Sequence, residues 1–352
     1  MVNAVVKVKT DLLSHPDYNK LPVAGGNKII LPAPEAHSAM CTTPEFEAWK
    51  ISNIFGEETG PEKIFNARVT LETALADCGS IRRGEEVIVK RPENNLDGSI
   101  DTAGLDEEAQ FLKKCQMQGV VELRNYVPSR MLMLRPVTTA QGTQPFVDWM
   151  KEQPYRRENH LDQTVLDALL QIVDTTQRIH AQGVVHRDLK PENIVVGDKT
   201  GVLNYVIVDF GNACYADSVP SERKFSKGSL TSMPPEQFTK ASAQKASDVY
   251  ALGVLIYRAL TGMTPRDIAE LECYAEKQEG VFPEVRMPLR MLNKYVSKNL
   301  AKLVGECLDA DCAKRPSLEK VYGTLSEEKR HAENINSTGA RGYIARVLAK
   351  VA

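Results

Sequence analysis

The sequence has almost no net charge, no paired-cysteine pattern, few aromatic residues and no long apolar run. Acidic and basic side chains nearly cancel, 46 against 44 over 352 residues, leaving a formal charge of −2. That balance argues against a polyanion partner, so no nucleic acid is expected, and it gives no pull toward an acidic membrane surface. Seven cysteines are scattered with no CxxC pair. An odd, dispersed set disfavours a disulfide scaffold or a thiolate zinc site and fits reduced thiols in a cytoplasmic compartment. The longest apolar run, 249–260, contains Tyr257 and Arg258. It is too short to cross a bilayer and reads as a buried core helix, so no transmembrane segment is expected. The opening MVNAVVKVKTDLLSHP has only a short apolar patch broken by lysines, which is not the pattern of a secretory signal. Internal repeats and low-complexity tracts are absent too.

What is present concentrates in residues 184–211, VVHRDLKPENIVVGDKTGVLNYVIVDFG. Two acidic residues, Asp188 and Asp209, stand there, with Lys190 two positions and Asn193 five positions after the first. The apolar runs 194–196 and 205–208 flank a Gly-Asp-Lys-Thr-Gly stretch at 197–201, which predicts strand, turn, strand. Such a hairpin brings Asn193 and Asp209 together at one end. An amide oxygen and a carboxylate form a hard-oxygen site suited to Mg²⁺, which keeps waters and takes further ligands from phosphates. Asp188 is then available to orient a hydroxyl and accept its proton, and Lys190 to offset charge on a phosphoryl group in transit.

HRDLKPEN at 186–193 followed by DFG at 209–211 resembles the catalytic loop and metal motif of eukaryotic-type protein kinases. The lysine after HRD is similar to the serine/threonine branch. The resemblance implies an α+β, bilobal fold: a small β-rich lobe with one helix, then a large, mainly α-helical lobe. The divisions expected are an N-terminal extension at 1–60, a small lobe at 61–136, a large lobe at 137–327 and a tail at 328–352. It also implies ATP and Mg²⁺ as cofactors, and protein substrates with serine or threonine acceptors.

In the small lobe, VIVK at 87–90 resembles the third-strand motif whose lysine contacts the ATP phosphates, which points to Lys90. Residues 105–118 have helical spacing through Leu105, Ala109, Leu112 and Cys115, and Glu108 is the best-placed partner for Lys90, with Glu107 the neighbouring alternative. Ile88, Leu134 and Val195 are nucleotide-pocket candidates, with Met133 at the back. Counting back from Lys90 puts the phosphate-covering loop near residues 68–73, Arg-Val-Thr-Leu-Glu-Thr, which holds no glycine. Glycines there let backbone N–H groups approach phosphates. Ile88 stands where the family has alanine, and Pro136, without a donor, falls near a position where a backbone N–H meets adenine. Before the small lobe, prolines at 16, 22, 32, 34 and 44 leave 45–54, EFEAWKISNI, as the one expected amphipathic helix.

In the large lobe, 161–182 reads as a core-packed helix ended by Gly183. His186 and Phe210 resemble a stacked structural pair, so His186 is assigned no proton transfer. Residues 212–233 are the candidate activation segment, with Ser221, Ser226 and Ser229 as hydroxyl candidates and Arg187 ready to pair with a phosphate. Glu236 with Arg315 resembles the large-lobe ion pair, and Asp248 the anchor beneath the catalytic loop. In the tail, Ile344, Val347, Leu348 and Val351 share a helical face. The two extensions are candidates for a regulatory partner. The first function class is thus a Mg·ATP-dependent protein serine/threonine kinase, expected to phosphorylate itself. A second class, a pseudokinase or allosteric nucleotide-binding scaffold, draws on the glycine-free loop, Ile88 and Pro136. A third, a small-molecule phosphotransferase, is opposed by the peptide-positioning stretch 228–236.

Overall fold

This computed structural model describes residues 29–30, 45–49, 64–69, 73–75, 79–81, 86–94, 100–129, 131–137, 144–153, 156–157, 160–199, 202–219, 230–238, 243–277 and 282–351. The chain divides into two compact units, 1–143 and 144–352.

The first unit is built on an antiparallel sheet of β1 (Ile29–Ile30), β2 (Glu45–Trp49), β3 (Ile64–Val69), β4 (Glu86–Lys90), β5 (Leu123–Val127) and β6 (Met131–Leu134), in the order β1-β2-β3-β4-β6-β5. The alternation of β4 is visible in its burial: Val87 and Val89 have no exposed surface, while Ile88 and Lys90 are half-buried. Strand residues point to opposite faces in turn, so the sheet commits the valines to the core and Lys90 to the other side. Helix α1 (Thr102–Lys114) buries Leu105, Glu108, Ala109, Phe111 and Leu112. Lys113 and Lys114 occupy its last turn, where cations meet the negative end of the helix dipole.

Two expectations are corrected here. The segment expected as a helix at 45–54 begins instead with strand β2, whose Phe46–Trp49 pair in register with Asn66–Val69 of β3. Glu-Phe-Glu-Ala-Trp alternates as well as it spirals, and the ladder on β3 decides between two readings that a five-residue run leaves equal. The second correction concerns the loop expected at 68–73. Arg68 and Val69 lie inside β3, opposite Glu47 and Phe46 of β2, and Arg68 also faces Glu86 of β4. A short hairpin, Thr73–Leu75 with Gly79–Ile81, is inserted between β3 and β4 and displaced the count. The strand next to the lysine strand is therefore β3, and the connection preceding it is 50–63, which carries Gly56 and Gly60 and lies outside the described residues.

The second unit is mainly helical: α2 (Phe146–Glu152), α3 (Gln163–Ala181), α4 (Pro235–Phe238), α5 (Lys245–Thr261), α6 (Ile268–Lys277), α7 (Leu289–Leu292), α8 (Lys298–Cys307) and α9 (Leu318–Val351). Asp162 caps α3 by accepting the Thr164 N–H at 2.9 Å, satisfying a donor that a helix start leaves orphaned. Gly183 ends it at φ +72°, a conformation that glycine adopts without a Cβ clash. Small strands frame the chemistry: β7 (Gln144–Pro145), β9 (Ile194–Lys199) and β10 (Val202–Ile207) form one sheet, and β8 (Val184–Val185) pairs with β11 (Cys214–Tyr215). The β9–β10 ladder runs from Ile194↔Ile207 to Lys199↔Val202. Gly197 and Asp198, expected in the turn, are thus strand residues carried along by the ladder. Helix α9 continues without a break from 318 to 351 and is tied in its first half by Lys329 to Asp167 of α3 at 2.5 Å. Among the described residues, no helix is long and apolar enough to cross a membrane.

Helix α5 is buried on nearly every side and packs tightly against the end of α8 at Gly253. A Cβ there would stand 2.7 Å from the Cβ of Cys307 and 3.3 Å from a Leu308 methyl. Since overpacking of a tight core costs about 1–3 kcal/mol, Gly253→Ala is expected to lower stability by that amount. Chemical unfolding of the variant beside the wild type checks it.

Candidate active site

The loop after α3 is held from its buried side by one carboxylate. Asp248, in the first turn of α5, has no exposed surface. One of its oxygens accepts the Arg187 N–H at 2.8 Å; the other accepts the His186 N–H at 2.8 Å and lies 2.8 Å from His180 Nε2. Gln237 of α4 donates to the Arg187 carbonyl at 3.2 Å. Between these anchors Arg187 sits at φ +65°, a left-handed geometry that costs an L residue roughly 1–2 kcal/mol. The anchoring bonds hold that strain and turn Asp188 away from the path of the chain. His180 and Gln237 escaped the sequence reading. A histidine on the buried face of α3, four residues after Thr176, was the available signal for the first.

Asp188 is buried, and its Oδ2 accepts from Asn193 Nδ2 at 2.9 Å and lies 3.0 Å from Lys190 Nζ. Asn193 Nδ2 also donates to the Asp188 carbonyl at 2.9 Å. The Asn193 carbonyl receives the Val208 N–H at 2.9 Å, closing the β9–β10 hairpin at the end where Asp209 follows. Asp209 has φ +62° and accepts the Gly211 N–H at 3.3 Å. The structure therefore brings Asp188, Lys190, Asn193 and Asp209 into one neighbourhood. His186 is spent on structure: its ring meets Phe210 edge-on at 4.8 Å, its Nδ1 accepts the Asp188 N–H at 3.3 Å, and its Nε2 lies 3.2 Å from the Val208 carbonyl. That pattern puts a ring proton on Nε2.

The donor set suits Mg²⁺. With its NH₂ committed to Asp188, the Asn193 amide keeps its oxygen as the group to offer, and Asp209 adds a carboxylate. Among the described residues no group of three or more His, Cys, Asp or Glu is arranged to hold a metal. Two protein oxygens with the remainder from water and phosphate is the pattern Mg²⁺ accepts.

In the first unit, Lys90 Nζ lies 2.8 Å from Glu108 Oε2 and 3.0 Å from Oε1, with Glu108 almost fully buried. The partner is Glu108 rather than the neighbouring Glu107. Ile88 stands opposite Leu134 in the β4–β6 ladder, and Leu134 and Met133 are buried. Pro136 follows directly after Arg135, whose N–H is bound to the Glu122 carbonyl at 2.9 Å. Val195, a buried residue of the second unit, pairs with Val206 and Pro145.

Elsewhere in the second unit Arg315 grips Glu236 through two parallel bonds, at 2.6 and 2.8 Å. Its other guanidinium protons reach the carbonyls of Ala246, Asp309 and Ala310. Arg187 Nη1 lies 3.5 Å from the Asn212 carbonyl and 3.5 Å from Cys214 Sγ. Ser221, Ser226 and Ser229 lie outside the described residues.

Burial alone pushes the Asp248 carboxyl up, but the His180 hydrogen bond, the two imidazoles and the His186 amide outweigh it and hold it below the usual range. The folded value is thus lower than the unfolded one, near 3.9 for a free aspartate. The contribution to stability is fully present above about pH 4 and is lost as pH falls through the folded value. Asp248→Asn is therefore expected to cost about 1–3 kcal/mol near neutrality. The gap from wild type should narrow as pH drops below about 4; urea unfolding across pH measures it.

Comparison with known proteins agrees with this geometry. A family model described as "Protein kinase domain" matches residues 74–324. Aurora/IPL1-related protein kinase 2 of Caenorhabditis briggsae is 27% identical over 217 residues, covering 62% of this chain and 66% of that protein. Calcium/calmodulin-dependent protein kinase cmkA of Emericella nidulans is 28% identical over 249 residues, covering 70% and 56%. Serine/threonine-protein kinase pkn3 of Myxococcus xanthus is 30% identical over 167 residues, covering 45% and 30%. The chain thus spans less than two thirds of the length of these curated relatives.

Proposed function

The chain belongs to the protein kinase family, and on that premise we propose that it transfers the γ-phosphoryl group of ATP to serine and threonine hydroxyls of proteins, its own included. The observation that carries this reading is the buried Asp188 carboxylate, bonded on one oxygen by Asn193 and Lys190. A carboxylate so held is aimed rather than free to rotate, which is what positioning a nucleophile requires.

In the proposed reaction the substrate hydroxyl oxygen bonds to the γ-phosphorus as the bond to the β–γ bridging oxygen breaks. Asp188 orients the hydroxyl and takes its proton, and ADP departs. Lys190 offsets negative charge on the phosphoryl oxygens in transit. Asn193 and Asp209 would hold Mg²⁺, which would supply positive charge to the phosphates. Lys90 binds the ATP phosphates, and Glu108 fixes its ammonium. Ile88, Leu134 and Val195 are assigned to the nucleotide base. The serine/threonine preference rests on Lys190 and on relatives such as the Myxococcus serine/threonine-protein kinase.

The ends expected as extensions at 1–60 and 328–352, around lobes at 61–136 and 137–327, are assigned to a regulatory partner only outside the parts already taken up by β1 and β2 of the sheet and by α9 beside Asp167. Five described cysteines, Cys115, Cys214, Cys273, Cys307 and Cys312, are unpaired, which supports a reducing, cytoplasmic setting.

A second reading, a nucleotide-binding scaffold without transfer, is favoured by Ile88 and by the missing donor at Pro136. Its glycine-free loop argument weakens, because the connection ahead of the strand beside β4 contains Gly56 and Gly60. Radiolabelled ATP with the full chain and a generic protein substrate separates the two. Wild type is expected to label itself and the substrate. Asp188→Ala should lower transfer by about 100- to 10,000-fold, the usual weight of a general base, while keeping a Mg·ATP-induced thermal shift. Lys90→Met and Asp209→Ala should lose labelling as well. A wild-type thermal shift with no label transferred would favour the scaffold.

A further inference from the structure

A group of contacts in the first unit is not used by the proposed chemistry. Asp106, in the second turn of α1, accepts three hydrogen bonds from the region of the β5–β6 turn: from the Tyr126 hydroxyl, from the Ser129 N–H at 2.6 Å and from Ser129 Oγ at 2.8 Å. Ser129 is at φ +56°, a left-handed turn position that directs both donors at one carboxylate. The ring of Tyr126 also lies 5.3 Å from Lys113 Nζ. Asp106 and Lys113 are seven residues apart, two helical turns, and so share a face. Tyr126 therefore touches that face of α1 at two successive levels. Burial first, then the bond to Asp106, pushes the phenol well above its ordinary pKa, so it stays a donor.

Glu108 is two residues beyond Asp106. At about 100° per residue the two side chains leave α1 about 200° apart around its axis. A helix gripped on one side is free to roll. Grips on two nearly opposite sides stop it. We propose that Asp106, Tyr126 and Ser129 form a clamp that sets the roll of α1 and thereby holds Glu108 against Lys90. They are positioning residues for phosphoryl transfer, and the inference rests on the kinase reading above. Without the clamp, Leu105, Ala109 and Leu112 still bury the helix, but the three bonds to Asp106 no longer fix its rotation, and the Lys90 ammonium loses a steady partner.

The test uses the full chain as wild type, Asp106→Ala, Asp106→Asn, Tyr126→Phe and Glu108→Gln, and the Asp106→Ala/Glu108→Gln double variant. It measures kcat and KM for Mg·ATP and amide exchange over 102–114. Asp106→Ala is expected to lower kcat/KM by about 10- to 100-fold, the scale of a misplacement near 1 Å. Tyr126→Phe should lose less, and Asp106→Asn, which keeps an acceptor oxygen, should recover most of the loss. Exchange in α1 should speed up in Asp106→Ala while α5 keeps its protection. In the Glu108→Gln background Asp106→Ala should cost nothing further, because both act through one pair. Activity of Asp106→Ala within about twofold of wild type, an equal loss in both backgrounds, or faster exchange throughout the chain would each overturn the clamp. If wild type itself transfers no phosphate, the kinase reading fails, and α1 exchange alone then judges the clamp: unchanged protection in Asp106→Ala refutes it.

Discussion

Three donors converge on the carboxylate of Asp248, which has no exposed surface. A buried carboxylate without partners is costly, and one that accepts two backbone N–H groups and an imidazole is strongly held. The loop after α3 takes its shape from this point. Arg187 can keep a left-handed backbone because its N–H and its carbonyl are both bound, to Asp248 and Gln237. That turn presents Asp188 to Lys190 and Asn193, and Asn193 in turn ties the loop to the strand that ends at Asp209. The acidic and amide groups of the site are thus consequences of one buried anchor and one hairpin register.

The anchor itself depends on packing. Asp248 is brought into place by α5, a helix buried on nearly every side, and His180 by the last turn of α3. The approach of α5 to α8 at Gly253 leaves no room for a methyl group. The Glu236–Arg315 pair is fastened beside it: Ser247, next to Asp248, donates to Glu236 at 2.8 Å, and Arg315 lies 5.1 Å from the ring of Tyr250. Ser247 and Asp248, at one helix start, therefore join the Glu236–Arg315 pair and the loop to the same core.

The first unit shows how a strong local signal can coexist with a wrong count. VIVK was legible as a strand through its resemblance to the family's third-strand motif, and Glu108 was placed by helical spacing. The same counting misplaced the glycine loop, because a sequence does not mark which of several short strands lies beside β4. The ladder of β3 on β4 settles that, and the inserted hairpin at 73–81 accounts for the error. The strand at 45–49 was lost for a related reason: five residues alternate and spiral equally well until a neighbour supplies hydrogen bonds.

The amino-acid order by itself determined the chemistry-bearing residues and their local elements. Asp188, Lys190, Asn193 and Asp209 lie within one short stretch, so a turn and a hairpin suffice to relate them. Helix ends at Gly183 and Asp162 are likewise local matters of backbone freedom and capping. Only the tertiary structure decided which distant partners close the network: His180 on Asp248, Gln237 on the loop, β3 beside the lysine strand, Tyr126 and Ser129 on Asp106. Those contacts join residues up to 68 positions apart. Their partners are chosen by packing and strand register, which hydrophobic pattern and motif spacing along a single chain do not encode.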